Sequence, residues 1–109
     1  MAKQITFTYG GKEYTLEYTR KSVEQMERQG FVASDVNTKP MSTLPALFAG
    51  AFLAHHKFLK QELIEEIYNK MPGKGDLIGK LAEMYNEPIQ ALTEDPEDDE
   101  GNVTWETSW

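Results

Sequence analysis

There is no cysteine in this chain, so neither a disulfide framework nor thiolate chemistry is available to it. No apolar run is long enough to span a bilayer: the most apolar stretch, Leu44 to Ala54, covers eleven residues where about 20 are needed. Nor is there a secretion signal in the opening residues, since Lys3 is followed by alternating polar and apolar residues. Basic residues are missing from the last sixteen positions, and tryptophan is missing from all the others. The expectation is a cytoplasmic protein that neither enters a membrane nor depends on redox chemistry.

The charge is unevenly placed. Glu94, Asp95, Glu97, Asp98, Asp99, Glu100 and Glu106 supply seven negative charges, equal to the whole formal net charge of −7. Residues 1–93 are therefore neutral, with eleven acids against eleven bases. This predicts a folded domain over 1–93 and an acidic, Trp-containing tail over 94–109. Six acids in the seven residues from Glu94 to Glu100 repel one another and bury nothing, so the tail reads as a mobile solubilising extension. Val103, Trp105 and Trp109 are its candidate contact residues. The strand-like alternation of Val103-Thr104-Trp105 offers an alternative, docking on a sheet edge or a partner.

Within the body, two periods succeed one another. Ile5, Phe7 and Tyr9 alternate with threonines, and Tyr14, Leu16 and Tyr18 alternate with Thr15 and Glu17. That is the period of a strand with one apolar face, and Gly10-Gly11 between the runs supplies a tight turn. Spacings of three and four then take over, predicting about four helices packed on the hairpin in an α+β fold. The first is capped by Ser22, with Gln25 at capping-box spacing, or by Thr19 one turn earlier. It ends at Gly30, with Val23 and Met26 facing the hairpin and Phe31 behind. Ala33 to Met41 reads as a loop.

The second helix is expected from Ser42 or Thr43, with Pro45 in its first turn, through Leu44, Leu47, Phe48, Ala51, Phe52 and His55. It is apolar nearly all round, which marks either a central core helix or an interface. Its small residues Ala46, Gly50 and Ala54 permit close approach by another helix, including one from a second copy in weak self-association. A third helix from about Lys60 to Met71 carries Leu63, Ile64, Ile67, Tyr68 and Met71 on one stripe. A fourth is capped by Asp76 and carries Leu77, Ile78, Leu81, Met84 and Tyr85; Pro88 is expected to kink or restart it, with Ile89 and Leu92 continuing the stripe.

Catalytic and metal chemistry find no foothold. His55 and His56 are adjacent, about 100° apart on a helix, and chelate poorly together. Glu65 and Glu66 lie opposite an apolar stripe, Gly73-Lys74-Gly75 lacks phosphate-loop spacing, and Ser22 is explained as a cap. The reading is therefore of a non-enzyme with no cofactor and no metal. The eleven basic residues are scattered, with only Arg20-Lys21 adjacent, and the tail repels phosphate, so nucleic acid is not the expected ligand.

The runs ITFTYGGKEYTLEYTRKSVEQMERQGF and KPMSTLPALFAGAFLAHHKF, and LAEMYNE followed by an acidic stretch and VTW, resemble a family of small tail proteins of long-tailed bacteriophages and prophages. Met26 to Phe31 and Leu47-Phe48 through Phe52 are the most distinctive parts. Members of the family are encoded beside the tape-measure gene and described as tail assembly chaperones. The resemblance implies a protein of virion morphogenesis that binds the tape-measure protein in the bacterial cytoplasm, with the tail-tube protein as a second candidate partner. Candidate client-binding residues are Leu47, Phe48, Ala51, Phe52, Leu63, Ile67 and Tyr68, for each of which a place in the core is the competing role. The alternative function is an acidic inhibitor that mimics DNA charge and occupies a host nucleic-acid-binding protein.

Overall fold

A computed structural model describes residues 3–94 and 106–109. The chain forms β1 (Ile5–Tyr9), β2 (Lys12–Leu16), α1 (Arg20–Arg28), a short 3-10 turn (Ala33–Asn37), α2 (Pro40–Gly50), α3 (Gln61–Lys70) and α4 (Lys74–Ala91). It is an α+β fold: an N-terminal antiparallel hairpin followed by four helices. Ile5 lies opposite Leu16, Phe7 opposite Tyr14 and Tyr9 opposite Lys12. Gly10 and Gly11 take φ of 58° and 79°, the paired left-handed values of a hairpin turn that follows the twist of the strands.

The hairpin's apolar face packs on the helices through rings. Phe7 stacks on Tyr14 at 5.4 Å, and Phe52 meets Tyr14 edge-on at 6.1 Å. Leu16, Phe48, Ala51, Phe52, Ile67 and Leu81 form the innermost layer, each 1% exposed or less. Buried Tyr18 lies edge-on to Tyr85 and donates its hydroxyl to the Leu47 carbonyl at 2.5 Å. Tyr9 donates to the Glu66 carboxylate, and the Lys3 backbone N–H to Glu87 at 3.1 Å, so the hairpin is pinned to α3 and α4 as well.

Helix ends follow local chemistry, with several differences from the sequence expectations. Thr19, not Ser22, is the N-cap of α1: its hydroxyl accepts from the Ser22 N–H at 3.1 Å, and Ser22 accepts back from the Thr19 N–H at 2.8 Å. At the other end Gly30 adopts φ of 94°, and Phe31 N–H donates to the Met26 carbonyl at 2.9 Å, closing a Schellman turn.

α2 begins at Pro40, not at Ser42 or Thr43, because the fixed φ of proline suits a first helical position. Pro45 thereby falls inside the helix. α2 also ends at Gly50, short of His55. Beyond it Ala51, Phe52 and Leu53 bond three residues back, tightening the coil. That leaves the Ala51 carbonyl to accept the Glu17 N–H at 3.0 Å, joining the end of α2 to the chain after β2.

α4 starts from Gly73 in a left-handed conformation (φ 59°), so Asp76 stands in the first turn and is not the cap. Lys74 reaches back to the Asn69 and Met71 carbonyls at 3.2 and 3.0 Å and closes the end of α3. α4 then runs unbroken through Pro88. Burial of Met84 and Tyr85 in the preceding turn outweighs the lost backbone bond. Ile89 and Leu92, expected on the buried stripe, are exposed.

Candidate functional site

Of the seven body residues singled out from the sequence, Phe48, Ala51, Phe52 and Ile67 are at most 1% exposed and Leu47 is also buried. These five are core. Only Leu63 and Tyr68 reach the surface, each half-buried. Gly50 likewise faces inward: a Cβ there meets the Met26 sulfur and methyl at 2.4 Å, so the small face of α2 receives α1 of the same chain. Val103 and Trp105 lie outside the described residues, and so does most of the acidic run. Trp109 is described and is 99% exposed.

The open apolar surface lies instead between α2 and α3, in a cleft of about 390 Å³. Its α2 wall is entirely apolar, from Pro40, Met41, Leu44, Pro45 and Phe48. These positions repeat as two rows four apart (40, 44, 48 and 41, 45), which share one side of a helix. α3 contributes Ile64 and Tyr68, and then a polar row at the same spacing: Gln61, Glu65 and Asn69. Phe48 and Tyr68 join the two helices, their ring centroids 5.0 Å apart. Met41 is 89% exposed at this wall, where it extends the apolar lining of the cleft to the surface. The sequence named Phe48, at the closed base of the cleft, and Tyr68 here, but missed Met41, Leu44 and Pro45. A helix that is apolar all round has no period from which to read its open side.

A second concavity, about 500 Å³, lies between the end of α1, the 3-10 turn, α2 and the segment leading to α3. Phe31, Val32, Leu53 and Leu59 line it together with Asp35, Lys39 and Lys57, a mixed surface without a preferred chemistry. Phe58, in the same connecting segment, is 92% exposed.

The titratable groups join elements together. Glu17, almost closed from solvent, accepts from His55 Nε2 at 2.6 Å and from Gln4 at 2.9 Å. The bond from His55 holds the Glu17 carboxyl below its ordinary pKa, and the bond from Gln4 adds to that; burial opposes both. His56 accepts the Thr15 N–H at 3.0 Å. Burial pushes the His56 pKa down, helped by His55 and Lys12. Burial, and then Tyr85, raises the Tyr18 hydroxyl far above its usual range. Glu65 is exposed on α3, while Glu66 is tied to Tyr9. Among the described residues, no three His, Asp or Glu side chains converge as metal ligands, and no helix is long and apolar enough to cross a membrane.

A family model described as a domain of unknown function (DUF5055) matches residues 1–109, and the chain belongs to that family. No curated protein and no solved structure matches it.

Proposed function

We propose that this protein is a non-enzymatic tail assembly chaperone of a long-tailed phage or prophage, which binds the tape-measure protein in the bacterial cytoplasm and keeps it soluble during tail morphogenesis. The observation that carries the reading is the α2–α3 cleft, whose apolar wall ends in the almost fully exposed Met41. The sequence resemblance to small phage tail proteins supplies the client. A tape-measure protein is long, helical and rich in apolar repeats, and it must stay dispersed until tail-tube subunits assemble round it. The tube protein is accordingly a possible second partner.

Holding such a client requires an apolar surface at high local concentration and no nucleotide or metal, because it works by mass action. The chain's net charge of −7 opposes association of the loaded complexes with one another. The test is co-expression of the tape-measure protein with and without this chain. A larger soluble fraction of client in its presence, and co-purification of the pair, are the expected results. Client solubility that is the same in both cases overturns the proposal.

A further inference from the structure

The two sides of the α2–α3 cleft differ in chemistry, and the difference selects an occupant. The α2 side offers carbon, from Met41, Leu44 and Pro45. The α3 side offers a polar row, in which Glu65 is the one ionised group among the lining residues. A single carboxylate therefore borders an apolar trough. An acidic occupant brings a like charge against Glu65, whereas a cationic one pairs with it. The volume of about 390 Å³ holds a few large side chains, the number that one helix presents at i, i+3/i+4 and i+7.

We infer that this cleft is a receptor for a basic amphipathic helix of another protein, which lays its apolar stripe on α2 and a Lys or Arg against Glu65. The assignment deepens the proposed function and rests on it only for the owner of that helix. It implies that the client segments engaged first are those in which apolar positions at helical spacing are flanked by Lys or Arg.

The test uses the full chain and two dye-labelled synthetic helices of about 18 residues (five turns) with the same leucine pattern, one with lysine and one with glutamate at the polar positions. Anisotropy titration is expected to show binding of the leucine–lysine helix and not of the leucine–glutamate one. Met41→Asp and Glu65→Lys, both at exposed positions, are each expected to weaken that binding roughly tenfold, the usual effect of truncating an interface anchor. Glu65→Lys is further expected to bring in binding of the leucine–glutamate helix. Unaltered far-UV circular dichroism checks that both variants are folded.

Binding that survives both substitutions is held by the C-terminal acids and overturns the assignment, as does no binding of either helix. The same two variants separate this inference from the chaperone reading. If the chain raises client solubility and both variants do so equally well, the cleft assignment fails and the chaperone reading stands. If the helices bind in the cleft but the client is unaffected, the reverse holds.

Discussion

His56 holds the hairpin to the segment that follows α2 through a bond that only its neutral form can make. Its Nε2 accepts the Thr15 N–H at 3.0 Å, and an imidazolium has no lone pair left there. Its pKa in the fold lies below the ordinary value of about 6.5, so the unfolded chain binds the extra proton first. The stability contributed is present above about pH 6.5 and is lost as pH falls through the lower folded value. Glu17 acts in the same direction further down: its depressed pKa contributes stability above about pH 4.5 that is lost on acidification. The melting temperature is therefore expected to fall between pH 7.5 and 5. His56→Gln, whose amide oxygen accepts without titrating, should flatten that part of the curve. A wild-type melting temperature independent of pH over this range would show that the His56 contact contributes nothing.

Gly50 is the second decisive residue. Alanine there gains helix propensity of up to about 1 kcal/mol. Its Cβ, however, meets the sulfur and methyl of the buried Met26 side chain, which must shift to admit it. Overpacking of this kind costs about 1–3 kcal/mol, so Gly50→Ala is expected to lower stability in urea titration. An unchanged or higher midpoint would mean that Met26 swings aside.

Among the elements, α1 shows how nine residues are made into a helix by their ends. Only Ser22, Val23 and Met26 are buried, so packing contributes at a single stripe. The reciprocal Thr19–Ser22 bonds satisfy backbone donors at one end, and the Gly30 turn satisfies carbonyls at the other. Thr19→Ala should cost about 1 kcal/mol in chemical denaturation, and Thr19→Asp, which keeps an acceptor, much less. Equal losses for the two would mean that the cap is not what holds this end. The hairpin and α1 were legible beforehand because Gly-Gly, period-two alternation and cap spacing are local signals. The start of α4 and its passage through Pro88 were not, since Pro88 and Gly73 carry strong local preferences whose outcome was set by the burial of Met84 and Tyr85 and by Lys74 closing α3.

For the molecule as a whole, the tryptophans offer a readout separate from the core. Trp109 is 99% exposed. In a Trp105→Phe variant all tryptophan emission comes from Trp109, and it is expected to be water-like and unchanged when urea unfolds the body. A blue-shifted band that moves to longer wavelength together with unfolding would show Trp109 packed on the domain. The same scale explains why the apolar residues of α2 were not all equivalent. Phe48 and Met41 are both large and apolar on one helix, yet the first is wholly enclosed and the second 89% exposed. Nothing in their own identities separates them. α2 packs against the 3-10 turn, α1, α3 and α4, and together these enclose Phe48 and leave Met41 open.

What the sequence determined by itself is local or additive: the two strands and their turn, the existence of the helices, and the concentration of negative charge after residue 93. Each depends on neighbours within a few positions, or on simple summation of charge. The tertiary structure alone decided that α2 yields to tighter turns at Gly50, that α4 passes through Pro88, and that Met41, Leu44 and Pro45 are left as the wall of an open cleft. These outcomes rest on contacts between residues distant in the chain. The burial energies involved, about 1.5–3 kcal/mol for a large side chain, exceed the fractions of a kcal/mol by which most local preferences differ.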